Sequence, residues 1–321
     1  MRASVVILTF NAGPGFEELL RRLFAQETTF DYEIVVLDSG STDGTAELAD
    51  RHGARVHRLR SEEFDHGATR NLGISLCRGN YVALIVQDAL PLDGRWLDAM
   101  VENMERDELV AGVYGRQIPR PDSGPLTRVL VNGWPTAGLA RREQFAGDAA
   151  LYCALPPTER RTLATFDNVS SCVRRSVWAR IPFAKTCFGE DVRWGKDVVE
   201  AGYKVVYEPR SAVLHSHERG AAYDLRRHYV EAQVLFDLFG LSLVPNAALL
   251  ALNVLRSSAY LYRRLRRNEK AAGGAFRPAL LAAKHAVPAQ TGAYLGAKCR
   301  RLAPAFPRLS AGLDRLLSRG V

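Results

Sequence analysis

Val35-Val36-Leu37-Asp38-Ser39-Gly40-Ser41-Thr42-Asp43-Gly44-Thr45 is a short apolar run that stops at a carboxylate and enters a string of turn formers. Such a run, bounded by Gly, Ser and Asp, reads as a buried strand followed by a tight turn. Thr42 or Asp43 can cap a helix that starts at Thr45 and ends at His52, where Gly53 stops it. The same grammar recurs at Val82-Ala83-Leu84-Ile85-Val86-Gln87-Asp88-Ala89, a second apolar run ending in an acid.

The rest of the first hundred residues repeats this rhythm. Val5–Thr9, Glu33–Leu37, Arg55–Leu59 and Tyr81–Val86 are expected as strands. Glu17–Gln26, Thr45–His52, Ala68–Cys77 and Arg95–Arg106 are expected as the helices between and after them. Strands alternating with helices imply βαβ units, hence an α/β fold with a mostly parallel sheet flanked by helices. After Ile118 the rhythm breaks. Residues 119–165 carry six prolines and are expected to be irregular, in the manner of a functional loop or lid. Order returns with a strand at Val169–Val173 and helices at Ser176–Ile181 and Asp191–Ala201. Short strands are expected at Lys204–Tyr207 and Ala212–Leu214, and a long helix from about Ala222 to Phe239. The division expected is 1–118, 119–240 and a tail, 241–321.

Composition narrows the class. The chain has 321 residues, 47% hydrophobic and 24% charged, the balance of a globular protein. Its net charge of +8 is uneven: residues 1–240 hold 29 Lys and Arg against 33 Asp and Glu, and residues 241–321 hold 14 against 2. The five cysteines are odd in number and form no C-x-x-C pair, which argues against a disulfide framework and a cysteine-based zinc site. A reducing, cytoplasmic setting is expected. The apolar start, Val5–Phe10, is too short for a signal peptide, and no run of about 18 apolar residues is present to span a bilayer.

In an open α/β sheet, ligands bind beyond the carboxyl ends of the strands. Asp38 there can accept hydrogen bonds from a pyrimidine N–H or a ribose hydroxyl, though it reads equally as a strand-ending Asp beside a helix cap. Asp88 can ligate Mg²⁺ or Mn²⁺, which take oxygen ligands together with a diphosphate. Phe64-Asp65-His66-Gly67-Ala68-Thr69-Arg70-Asn71 opens a helix, where free N–H groups and the Arg70 fork favour a phosphate. Glu190-Asp191 starts another helix. Two acids there can stabilise its dipole or supply a general base. His215-Ser216-His217-Glu218 follows a strand; H-x-H-E admits a zinc-hydrolase reading, for which no partner cluster is evident, and a structural histidine is the simple reading of His215.

Taken in order, these segments resemble the family 2 glycosyltransferases, inverting enzymes of the GT-A fold. The matching set is Thr9-Phe10-Asn11, Asp38 with its turn, Arg70-Asn71, Asp88 at the D-x-D position, Glu190-Asp191 and His215, across residues 3–235. Phe64-x-His66-Gly67-x-Thr69-Arg70-Asn71 with Gln87-Asp88-Ala89 is similar to the bacterial rhamnosyltransferase branch. A single acid, Asp88, stands at the D-x-D position. The resemblance implies that Thr9, Asn11 and Asp38 contact the nucleoside. It implies that His66, Arg70 and Asn71 lie near the ribose and diphosphate, with Gln87 and Asp88 also on the donor. It implies that Asp88 and His215 hold Mg²⁺ or Mn²⁺. Asp191 would be the base, with Glu190 beside it. The implied reaction moves a sugar, L-rhamnose from dTDP-L-rhamnose, to a surface polysaccharide such as O-antigen or to a lipid-linked glycan precursor. A UDP-hexose donor is the rival within the class.

A sugar-nucleotide nucleotidylyltransferase would need a cation in its first Gly-rich loop, and Asn11-Ala12-Gly13-Pro14-Gly15 has none. A purely binding protein would need no base. The basic tail lacks a nucleic-acid motif, so no nucleic-acid partner is expected. Leu249, Leu250, Leu252, Val254, Leu255, Tyr260 and Leu261 lie among Arg256, Arg263, Arg264, Arg266, Arg267 and Lys270. That mixture is expected to form a basic amphipathic helical extension on the cytoplasmic face of an anionic membrane. The oligomeric state, homo-oligomer or not, stays open.

Overall fold

The computed structural model describes residues 1–186, 188–268 and 276–319. Cys187 and Lys270 lie outside them. In chain order the first elements are β1 (Ala3–Thr9), α1 (Phe16–Phe24), β2 (Tyr32–Asp38), α2 (Thr45–Arg51), β3 (Arg55–Arg58), α3 (His66–Leu76) and β4 (Tyr81–Val86). Then come β5 (Leu90–Pro91), α4 (Trp96–Arg106), β6 (Val110–Ile118), α5 (Pro125–Val131), β7 (Arg142–Gln144), α6 (Ala149–Ala154) and α7 (Pro157–Leu163). The chain continues through β8 (Ser170–Arg174), α8 (Arg175–Trp178), α9 (Glu190–Glu200), β9 (Lys204–Leu214) and α10 (Ala221–Phe239). It ends with α11 (Ala247–Asn268), α12 (Phe276–Leu302) and α13 (Pro307–Leu317).

Two compact units result. The first comprises Met1–Ile118 and Trp134–His215. Its sheet runs β3-β2-β1-β4-β8-β6-β9-β5, with β7 on β9. β1 pairs in parallel with β2 and β4, and β2 with β3. β8 reverses the direction, lying antiparallel to both β4 and β6, while β6 and β9 are parallel. The central strands are apolar throughout because helices cover both faces. Val5 and Ile7 join one core cluster with Phe16, Leu20 and Trp96, and Val6 joins another with Leu37, Ile74 and Tyr114.

The expected short strands at Lys204–Tyr207 and Ala212–Leu214 are one strand, β9. Its pairing with β6 shifts register between Gly115 and Arg116, opposite Glu208 and Ala212. That irregularity carries Glu208, Pro209, Arg210 and Ser211, which read in sequence as a break. Buried Glu208 is satisfied there by Asn103 (2.9 Å) and Arg210 (2.9 Å). The stretch expected to be irregular also holds order: α5, β7, α6 and α7 are each too short for an apolar period to show.

The second unit comprises Pro119–Gly133 and Ser216–Val321 and is helical. Val129 of α5, Leu261 and Leu265 of α11, and Ala282 and Ala286 of α12 form its core. α12 lies close along α10. A Cβ on Gly292 would meet the Leu225 carbonyl oxygen at 2.2 Å, and one on Gly296 the Tyr229 carbonyl oxygen at 2.1 Å. Polar pins fix the ends: Tyr229 Oη and Gln233 Nε2 each donate to Asp314 Oδ1 of α13 at 2.7 Å.

Candidate active site

Asp38 closes β2 directly beside Thr9, the last residue of β1. Its buried carboxylate accepts from Thr9 Oγ1 (2.9 Å), the Ser41 N–H (2.9 Å) and Ser41 Oγ (2.6 Å). One acid thus ends the strand and shapes the turn after it. Asn11 sits in the left-handed region at φ 44°, which Asn tolerates. Its N–H donates to Ser41 Oγ (2.8 Å), and its Oδ1 accepts the Thr42 N–H (2.9 Å). The loops after β1 and β2 are therefore stitched into one rim at the carboxyl ends of the strands. Gln87 extends that rim from β4: its amide accepts the Phe10 N–H (2.8 Å) and donates to the Phe10 carbonyl (3.2 Å). The Gln87 side chain is thus engaged by backbone.

The α3 segment differs from the expectation of an open phosphate cradle. Asp65 caps the helix, accepting the Ala68 N–H at 2.8 Å, so an acid already occupies the positive end. Arg70 is buried and bonds Glu190 Oε1 at 2.6 Å, with both side chains 8% exposed. Asn71 ties down the loop after α8: its amide donates to the Phe183 carbonyl (2.8 Å), and its oxygen accepts from Phe183 N–H and Trp178 Nε1. His66 stays at the surface with Phe64 edge-on to it, ring centroids 4.8 Å apart. Removing one partner of a buried ion pair costs about 3–5 kcal/mol, because the other charge is left uncompensated. Arg70 therefore holds Glu190 in place.

The pairing separates the two acids at the start of α9. Glu190 is buried, paired with Arg70 and approached by Asn168 Nδ2 at 3.3 Å. Asp191 keeps a partly exposed side chain. Desolvation, followed by the charges of Glu190 and Asp167, pushes its carboxyl up to about 7. A carboxylate with that affinity for protons is suited to take one near neutral pH.

His215 follows β9, its N–H continuing the ladder to the Ile118 carbonyl at 2.9 Å. Its Nε2 stands 3.7 Å from Asp88 Oδ1. A carboxylate and an imidazole this close are a donor pair that a divalent cation can use. Asn168, Asp167 and Gln117 gave no signal in the sequence, being isolated polar residues without a motif.

The glycosyl transferase family 2 model matches residues 4–156. The O-antigen chain rhamnosyltransferase RfbN of Salmonella typhimurium is 29% identical over 71% of this chain and 71% of its own. WbaN of Salmonella anatum, also an O-antigen chain rhamnosyltransferase, is 25% identical over 70% of each. Among solved structures, the Pyrobaculum calidifontis mannosyltransferase PcManGT, in complex with GDP-Man and Mn²⁺, aligns with a TM-score of 0.50. It is 19% identical, covering 98% of this chain and 79% of that one. Staphylococcus aureus TarS 1–349 aligns with a TM-score of 0.50 at 16% identity, covering 99% and 90%. These two likenesses show the fold, GT-A. The chain is similar over residues 4–156 to the family 2 glycosyltransferases and over about 70% of its length to two O-antigen chain rhamnosyltransferases.

Proposed function

We propose that the chain transfers L-rhamnose from dTDP-L-rhamnose to a hydroxyl of a bacterial surface polysaccharide or its lipid-linked precursor. The observation that carries the chemistry is the division between neighbouring acids, Glu190 paired and buried, Asp191 partly exposed and easily protonated. The likeness to two O-antigen rhamnosyltransferases over about 70% of each chain supports the donor sugar. Asp191 takes the proton from the acceptor hydroxyl as that oxygen attacks the anomeric carbon opposite the leaving group, so one displacement inverts the centre. Thr9, Asn11 and Asp38 form the rim for the nucleoside, and Gln87 keeps the end of β1 in place. Glu190 and Arg70 fix the start of α9 and so aim Asp191. Asp88 and His215 would hold a divalent cation, Mg²⁺ or Mn²⁺. Such a cation stabilises charge on a departing nucleoside diphosphate. Turnover with dTDP-L-rhamnose, UDP-glucose, UDP-galactose and GDP-mannose in Mn²⁺ tests the reading. Preferential release of dTDP is expected, and preference for a UDP-hexose would overturn the donor assignment.

The helical unit supports a membrane role. Among the described residues no helix is long and apolar enough to cross a bilayer. Leu255 (68% exposed) and Tyr260 (48%) stand out on α11, while Leu261 is buried in the core and drops out of the expected apolar surface. On α13, Leu309 and Leu316 are 60% and 65% exposed and seven residues apart, hence on one side, with exposed Arg308 and Arg315. Apolar side chains amid arginines complement an anionic leaflet, where each basic residue contributes about 1 kcal/mol. Because α12 packs on α10, truncation at 240 would open the helical core, and point changes are the better probe. The full chain should float with phosphatidylglycerol vesicles and release as salt rises. Leu255→Gln with Leu309→Gln and Leu316→Gln should lower the floated fraction several-fold. A wild-type chain that never floats rejects docking.

A further inference from the structure

Gln117 lies on β6, buried at 2% exposure, and matches none of the motifs that mark the site. Its amide nitrogen donates to Asp167 Oδ2 at 2.6 Å, and its Oε1 lies 3.0 Å from His215 Nδ1. Asp167 is itself fixed in the approach to β8, where its other oxygen accepts the Val169 N–H at 2.9 Å. A carboxylate only accepts, so it must take the Gln117 NH₂. That leaves the amide oxygen facing the imidazole. An amide oxygen also only accepts, so His215 Nδ1 must carry the proton. The other ring nitrogen, Nε2, is the one turned toward Asp88 at 3.7 Å.

We propose that the Asp167–Gln117 pair sets the tautomer and ring orientation of His215, presenting the Nε2 lone pair to a divalent cation shared with Asp88. Both are positioning residues, and toward the cation they act through His215. The order of the chain is what makes it directional. Asp167 dictates which way the Gln117 amide lies, and Gln117 dictates which imidazole nitrogen is protonated. With Asp167 neutral, the amide could reverse, donate to Nδ1 and move the proton to Nε2, where it would block a ligand position. The inference rests on the proposed metal role of Asp88 and His215, and its test separates the two.

The experiment is Mn²⁺ titration of the full chain with dTDP present, free Mn²⁺ being read by electron paramagnetic resonance. The His215 tautomer is read in parallel from imidazole ¹⁵N shifts of the metal-free protein. Gln117→Leu should weaken Mn²⁺ binding about 10–100-fold, the usual effect of losing a partner behind a ligand. It should also remove the Nδ1–H signature. Asp167→Asn, which keeps the shape, should weaken binding less and give a mixture of tautomers. Gln117→Glu combined with Asp167→Asn should recover both, because the new carboxylate accepts from His215 Nδ1–H and from the new amide. A general loosening of the fold would not be rescued by that exchange. Unchanged Mn²⁺ affinity in Gln117→Leu, with His215→Ala weakened, overturns the inference and leaves the metal site standing. Unchanged affinity in His215→Ala overturns the metal assignment and the inference together.

Discussion

Asp191→Asn is expected to leave nucleotide-sugar binding nearly intact and to lower transfer by about 10²–10⁴-fold, the usual contribution of a general base. The amide has the same shape and can still accept the Val192 N–H that Asp191 takes at 2.7 Å, so the start of α9 should hold. What it loses is proton affinity. In the wild type, burial and the neighbouring acids push the Asp191 carboxyl up to about 7 from 3.8. Below that pH the group is protonated and cannot accept, so kcat/KM should rise with pH through about 7 and then level. The residual activity of the Asn variant should show no such rise. A stability test runs the other way. Between 3.8 and about 7 the folded protein holds a proton that the unfolded chain has released, so this group's contribution to stability falls as pH rises. Above pH 7 the Asn variant should therefore melt higher than the wild type. Near-wild-type turnover in Asp191→Asn, with Glu190→Gln inactive, would move the base to Glu190.

Asp88→Ala should abolish metal-dependent donor binding, because it removes the carboxylate that stands 3.7 Å from His215 Nε2. Electrostatic stabilisation of a leaving diphosphate amounts to several kcal/mol, so turnover should fall by at least about 10²-fold. His215→Ala should weaken binding less, since an imidazole brings no charge. Nucleotide titration by calorimetry, with and without Mn²⁺, checks both variants, and a chelator should reduce the wild type to the level of Asp88→Ala. Normal Mn²⁺-responsive donor binding in the Asp88 variant would remove the residue from the metal site.

The strand ends that carry Asp38 and Asp88 were legible because each acid interrupts a continuous apolar run, a local signal that needs no partner. Helices α1 and α4 were legible for the same kind of reason, an amphipathic period long enough to register. Strand β9 was not, because a register shift against β6 hides its middle behind Glu208, Pro209 and Arg210. Leu261 read as surface because the face a helix buries depends on its neighbours, here α5 and α12.

Sequence alone determined the α/β order of the first hundred residues, the acids at the strand ends and the concentration of positive charge after residue 240. Each of these is written in contiguous residues. The tertiary structure decided what the charged groups do. Arg70 looked like a free cation at a helix start until folding brought it 2.6 Å from Glu190, a residue 120 positions away. That one contact gives Glu190 a partner and sets Asp191 apart from it. Gln117, Asp167 and His215 likewise meet only through the pairing of β6 and β9 and the approach to β8. Hydrogen bonds and charge coupling act over a few ångströms of space, and the chain separates those partners by tens of residues.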